Sequence, residues 1–240
     1  MKTILITGAN KGIGLETAKQ LAQLGHYIYL GSRDLSKGQQ AEKQLKAMGL
    51  STVEAIELDV TNVFSIKKAK ATLESKIKAL DILINNAAIS GDQLQTSSTG
   101  SIENLRKIFE TNYFGVVQTT QQFLPLLEKA KEPSILNVSS EISSLTMQTA
   151  PGKSKNWDNF HAYGSSKTAL NAFTITLASQ LADSHFRVNS VTPGYTATDL
   201  NQFQGLKTAE QGAKAIVELA LNPDRTISGK FFKDSGEVPW

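Results

Sequence analysis

The feature that most constrains this chain is an alternation running along its whole length. Short apolar, β-branched runs take turns with longer stretches in which apolar residues recur three and four apart. The runs include Thr-Ile-Leu-Ile at 3–6, Tyr-Ile-Tyr-Leu at 27–30, Asp-Ile-Leu-Ile at 81–84, Ser-Ile-Leu-Asn-Val at 134–138 and Arg-Val-Asn-Ser-Val at 187–191. Some lack the polar alternation of a sheet with one wet face, so both faces should be covered. The pattern predicts strands near 2–6, 27–31, 53–58, 80–85, 134–139, 186–192 and 229–233. Helices are predicted at about 12–24, 36–48, 63–78, 101–129, 160–183 and 208–221, the period being plain in Leu170, Phe173, Leu177 and Leu181. Strands joined by crossover helices give an α/β fold: a doubly wound parallel sheet of seven strands.

Length alone leaves one domain or two open, since 240 residues fit either. No linker, composition shift or internal repeat divides the chain, so residues 1–240 read as a single domain. The weakest stretch runs from Ser143 to Asn159 around Pro151, Gly152 and Trp157, and a lid-like loop is expected near 143–160. A net charge of +3 is too small to indicate a nucleic-acid or membrane partner, so any anionic ligand must be held locally. With no cysteine there is no disulfide, thiolate catalysis or thiolate-bound zinc. His26, His161 and His185 lack metal-ligand spacing, and no metal is expected. The start of the chain is too short in apolar length for a signal peptide, and no run approaches a membrane span. The cytoplasm is the default location.

The first strand runs directly into Thr7-Gly8-Ala9-Asn10-Lys11-Gly12-Ile13-Gly14 and then a helix. Glycines there let the backbone approach a pyrophosphate, whose charge meets the amide groups of the helix amino end. The spacing is Gly-x-x-x-Gly-x-Gly, not the usual dinucleotide fingerprint, and taken alone it could be only a tight turn. The second strand ends Gly31-Ser32-Arg33-Asp34, where a ribose-binding carboxylate would sit about 20 residues after the glycines. Arg33 can instead pair with a 2′-phosphate in bidentate fashion, and Lys11 can add a second positive charge, which favours NADP(H). The alternative is a solvated Arg33 with Asp34 on the ribose.

Further along stand Asp81-Ile-Leu-Ile-Asn85-Asn86-Ala87-Ala88, Asn112, Ser140, Tyr163-Gly-Ser-Ser-Lys167 and Pro193-Gly194-Tyr195-Thr196-Ala197-Thr198. In this order they resemble the short-chain dehydrogenase/reductase superfamily, from residue 3 to the carboxyl end, with Ala88 departing from the family's usual glycine. Within it, the stretches 8–15, 32–39, 111–115 and the Gly-Lys-Phe-Phe…Trp ending are similar to NADPH-dependent carbonyl reductases. The resemblance implies a Rossmann-type sheet, NADP(H), and reduction of an aldehyde or ketone. It implies a catalytic tetrad of Asn112, Ser140, Tyr163 and Lys167, with Ser139 the neighbouring alternative to Ser140. Gly8, Asn10, Lys11, Gly12, Ile13, Gly14 and Arg33 are expected to bind the cofactor, and the resemblance places Asp59 and Val60 beside the adenine. Asn86 would meet the ribose, Lys167 the nicotinamide ribose hydroxyls, and Thr196 and Thr198 the carboxamide, with Tyr163, Pro193 and Gly194 also at the cofactor. Asn112 would hold a water relaying protons toward Lys167.

Tyr163 and Lys167 are four apart on a predicted helix, so their side chains share a face. Lowering a phenol from its ordinary pKa by about three units requires roughly 4 kcal/mol, which an ammonium about 4 Å away at an effective dielectric of about 20 supplies. Lys167 is therefore expected to depress Tyr163. Trp157, Phe160, Tyr195 and Phe203 suggest an aromatic-lined substrate pocket, or simply the packing of the lid. Two other functions remain open: an NADP-dependent alcohol or hydroxysteroid-type dehydrogenase working oxidatively, and a non-catalytic NADP(H) sensor. Many relatives associate through the helix carrying Tyr163, so a homo-oligomer and a monomer both stay open.

Overall fold

The structure is a computed structural model describing residues 1–92 and 94–240. In chain order it runs β1 (Thr3–Thr7), α1 (Gly12–Gln23), β2 (Tyr27–Ser32), α2 (Leu35–Ala47), β3 (Val53–Glu57), α3 (Val63–Glu74) and β4 (Ile82–Asn85). Then come α4 (Ile102–Phe109), α5 (Gly115–Leu127), β5 (Ser134–Val138), α6 (Leu145–Thr149), α7 (His161–Gln180), β6 (Arg187–Val191), α8 (Ala209–Ala220), β7 (Phe231–Lys233) and β8 (Gly236–Glu237).

The strands form one sheet in the order β3-β2-β1-β4-β5-β6-β7-β8. The first seven are parallel, as expected; β8 is an additional antiparallel edge strand, so the sheet has eight strands where seven were expected. Its two residues, folded back after Asp234–Ser235, are too short to leave a periodic signal. The predicted helix 101–129 is also subdivided. Between α4 and α5 the chain makes a π turn, Glu110–Phe114, with Asn112 buried in it. The segment 143–160 is partly helical, containing α6 and a 3₁₀ turn at Lys155–Asn159.

Side chains alternate across the strands and fill a core on each face. Ile4 and Ile6 of β1 pack with Ala18 and Leu21 of α1, Leu45 of α2 and Ile216 of α8. Leu5, between them, points the other way, toward Ile66 of α3, Phe123 of α5 and Leu177 of α7. No helix among the described residues is long and apolar enough to cross a membrane.

A buried polar ladder ties the second half of the sheet to its helices. Asn85 Nδ2 donates to Asn137 Oδ1 at 2.9 Å and to Thr120 Oγ1 at 3.0 Å. Asn137 Nδ2 donates to Thr174 Oγ1 at 2.9 Å, which lies 2.9 Å from Ser190 Oγ. These links join β4, α5, β5, α7 and β6, so the helix that carries Tyr163 is fixed in height against the strand end that carries Ser140. Asn137→Ala strands buried partners on both sides, and is expected to cost about 1–3 kcal/mol, read as a lower urea midpoint at unchanged m-value.

Candidate active site

Strand order reverses at β1, which lies between β2 and β4, the point at which an open α/β sheet places its ligand cleft, beyond the carboxyl ends of the strands. Gly8 turns there with φ +65°, and a Cβ on it would lie 2.9 Å from Ala87 Cα. A Cβ on Gly14 would lie 2.5 Å from Asn86 Nδ2 and 2.6 Å from the Gly8 carbonyl. The Thr7 hydroxyl accepts the Asn86 and Ala87 amides at 3.0 and 2.9 Å. Asn86 Nδ2 in turn donates to the carbonyls of Thr7 and Gly8 at 2.9 and 3.1 Å. Asn86, expected at the ribose, thus spends its amide hydrogens fastening the glycine turn. Asn10 and Ile13 are half-buried beside it. The turn opens α1 at Lys11 without a side-chain cap, whereas Asp34 caps α2, Asn62 caps α3 and Thr208 caps α8. The first amides of α1 are therefore available to an anion, and the glycines let the turn pack against Ala87, Asn86 and Thr198.

At the end of β2, the Ser32 hydroxyl donates to the Asp34 carbonyl, and the Asp34 carboxylate accepts the Lys37 amide as the cap of α2. Arg33 is exposed and makes no hydrogen bond or ion pair among the described residues. Lys11 reaches the other way, its Nζ 3.4 Å from Asp199, so Arg33 stands alone as an unpaired cation beyond β2. Past β3, Asp59 accepts the Thr61 amide and hydroxyl, while buried Val60 packs against Gly115, where a Cβ would come within 2.9 Å of Val60 Cγ2.

Ser140 follows β5, and Tyr163 and Lys167 stand on α7. Of the two serines, Ser139 turns inward, its hydroxyl 3.1 Å from that of buried Ser143, whereas Ser140 stands beside the Tyr163 phenol. Lys167 is 2% exposed and donates to the Val138 carbonyl at 2.8 Å, with Nζ 5.9 Å from the centre of the Tyr163 ring. The expected depression of Tyr163 by Lys167 is not what this environment produces. Burial pushes the phenol up to about 12 against the smaller lowering effect of Ser140. Burial also pushes the Lys167 ammonium down to about 7. Both groups lose solvation, and for each this is the largest effect.

Asn112 donates from Nδ2 to the Ile89 carbonyl and to Ser166 Oγ, and accepts the Ile89 amide. Ser166 Oγ donates to the Tyr163 carbonyl at 2.7 Å. The Asn112 side chain, with both amide hydrogens taken, braces α7 against the loop after β4. Sequence reasoning missed Gln95. This buried side chain accepts the Tyr163 amide at 2.9 Å and donates to the carbonyls of Ser90 and Asp92. It closes the uncapped start of α7 from 68 residues away, a contact with no local signature.

After β6, Pro193 and Gly194 turn the chain with φ +72° at the glycine. The Thr196 hydroxyl donates to the Pro193 carbonyl and packs against Gly212, which gives it a turn-shaping role. Thr198 lies against Gly12, and Ser90 Oγ donates to the Leu200 carbonyl at 2.9 Å, so this segment crosses the mouth of the cleft. The expected aromatic set divides. Trp157 and Phe160 line a cavity of about 280 Å³ with Ile142, Leu145, His161 and Thr168, whereas Tyr195 and Phe203 are exposed on the crossing segment and do not line it. Among the described residues no group of three or more His, Asp or Glu could hold a metal ion.

Residues 2–209 match the family model for short chain dehydrogenase. A (+)-neomenthol dehydrogenase from Capsicum annuum is 33% identical, the match covering 95% of this chain and 94% of that protein. Its alignment extends over 297 positions, so that relative carries segments this chain lacks. Salutaridine reductase from Papaver bracteatum is 31% identical over 99% of this chain and 96% of its own. Among solved structures, NADPH-bound carbonyl reductase from chicken fatty liver superposes with a TM-score of 0.86 at 27% identity, covering 100% of this chain and 99% of that one.

Burial of Lys167 has a consequence for stability. An unfolded lysine keeps its proton to about pH 10.4, while folded Lys167 keeps it only to about 7. Between these values the unfolded state binds more protons, so this group makes stability rise with pH. Tyr163, raised to about 12, is neutral in both states below its ordinary value and adds no slope there. Lys167→Met is therefore expected to stabilise the cofactor-free protein, with a gain on the order of 4 kcal/mol larger at about pH 6 than at about pH 10.5. Urea unfolding at the two pH values measures it; equal gains would show that burial of the charge is not the cause.

Proposed function

The chain belongs to the short-chain dehydrogenase family, oxidoreductases acting on carbonyl and alcohol groups, and we propose that it is an NADPH-dependent carbonyl reductase. The observation that carries this reading is the gathering of the Tyr163 phenol, Ser140 and Lys167 at the carboxyl end of β5, with Lys167 Nζ 5.9 Å from the centre of the Tyr163 ring. When bound, NADPH supplies the hydride that reduces the carbonyl carbon. The uncapped start of α1 and the turn Gly8–Gly14 would hold its pyrophosphate, and Arg33 its 2′-phosphate, supported by the absence of any other partner for that guanidinium among the described residues.

Ser140 donates a hydrogen bond to the carbonyl oxygen as negative charge develops there. Tyr163 gives that oxygen its proton, a favourable transfer because an alkoxide is a stronger base than even this phenolate. Lys167, when protonated, offsets the tyrosinate left behind, at a distance where a low-dielectric interior makes its charge effective. Gln95 and Ser166 keep the first turn of α7 in place during this exchange.

The presence of both Tyr163 and Lys167 favours an enzyme over a sensor. Exposed Tyr195, Leu200 and Phe203 on the segment that crosses the cleft support an apolar aldehyde or ketone as substrate.

Tyr163→Phe is expected to abolish NADPH consumption with activated aldehydes and ketones while leaving NADPH binding largely intact, as followed by cofactor absorbance and fluorescence titration. Unchanged turnover would sink the mechanism. Arg33→Asp is expected to weaken NADPH and raise the relative preference for NADH; an unaltered preference would remove Arg33 from the 2′-phosphate.

A further inference from the structure

The turn that carries Ser140 is wired on two sides. Toward α7, the Ser140 carbonyl accepts the Ser143 amide and hydroxyl at 2.9 and 2.5 Å. Asn171 Nδ2 donates to Ser143 Oγ at 2.7 Å, and the Thr168 hydroxyl donates to the Ser143 carbonyl at 2.9 Å. On the other side stands the last stretch of the chain. Ser144 Oγ, fully buried, donates to the Pro239 carbonyl at 2.6 Å. The Thr146 amide donates to the Trp240 main-chain oxygen at 3.0 Å. Lys233 Nζ lies 3.0 Å from the Glu141 carboxylate.

This last stretch is itself anchored in the sheet. The Val238 amide donates to the Phe231 carbonyl at 2.7 Å, extending the β7–β8 pairing. The Trp240 indole stacks on the buried Phe231 ring, centroids 5.6 Å apart and planes within 18°. Residues 141, 144 and 146 are thus each held by a different residue of one hairpin and its extension. Three bonds over six residues are more than a surface turn needs, and all lie immediately after Ser140.

We propose that Trp240, acting through the bonds of Pro239 and Trp240 to Ser144 and Thr146, is a positioning residue that sets the height of Ser140 against Tyr163, with the Lys233–Glu141 pair assisting. The role rests on the carbonyl-reductase reading of Ser140. The stack fixes the tail, the tail fixes the start of α6, and α6 leaves the Ser140 turn one position to occupy. A hydroxyl displaced by a fraction of an ångström no longer meets the carbonyl oxygen at the moment its charge develops.

The test combines hydrogen exchange with kinetics on Trp240→Ala, Trp240→Phe and Glu141→Gln in the full chain. Trp240→Ala is expected to speed amide exchange across 140–147 while the Gly8–Gly14 turn keeps its wild-type protection. It should lower kcat by about tenfold to a hundredfold, with NADPH affinity unchanged; Trp240→Phe should restore both readouts. In a Ser140→Ala background, Trp240→Ala should cost nothing further, because it acts only through Ser140. Unchanged exchange across 140–147, or full additivity with Ser140→Ala, would overturn the proposal. If Trp240→Ala does not fold, Glu141→Gln is judged by the same two readouts. A wild type that reduces no carbonyl would refute the functional reading, while the exchange measurement would still decide whether the tail holds the turn.

Discussion

The clasp between Thr7 and Asn86 is the constraint on which the remainder of the site depends. β1 and β4 are adjacent strands whose crossover helices leave on opposite faces, so their carboxyl ends would diverge without a link. Thr7 accepts two amides from the β4 side, and Asn86 returns two donations to the β1 side. The clasp dictates the residue types around it. Gly14 has no room for a Cβ because Asn86 occupies that space, and Gly8 must turn through positive φ to pass Ala87. The start of α1 is consequently left facing the cleft with its amides uncapped.

A second demand is electrostatic. Among the described residues, enclosed Lys167 has one hydrogen-bond partner, the Val138 carbonyl, and no carboxylate, an arrangement that costs stability whenever the lysine is charged. A chain selected for stability alone would place an apolar residue there. The surrounding structure tolerates this cost through satisfied bonds elsewhere: Gln95 at the start of α7, Ser166 and Asn112 along its first turns, and the ladder Asn85–Asn137–Thr174 farther down. Desolvation also raises the Tyr163 phenol, so one physical cause sets both members of the pair in opposite directions.

The segment after β6 closes the cleft by contacts of a different kind. The Lys11–Asp199 ion pair is solvent-exposed and of little worth, and the Ser90–Leu200 bond is a single link. Gln202 and Phe203 adopt successive left-handed conformations, at φ 53° and 60°, without glycine. A strongly wired floor under a weakly latched cover suits a site that must admit a dinucleotide and a substrate in turn.

Much of this protein was determined by sequence, because parallel strands and amphipathic helices write their periods locally. The seven parallel strands, the glycine turn after β1, and the four-residue spacing that sets Tyr163 and Lys167 on one helical face all follow from nearest-neighbour geometry. The two-residue β8, the π turn at Asn112 and the brace from Gln95 do not, since each depends on partners distant in the chain or on too few residues to show a period. Tertiary structure also decided which of Ser139 and Ser140 meets the phenol, and separated Trp157 and Phe160 from Tyr195 and Phe203. Above all it decided the acidities. Sequence places an ammonium near a phenol, but only the folded structure shows that desolvation moves the two acidities in opposite directions.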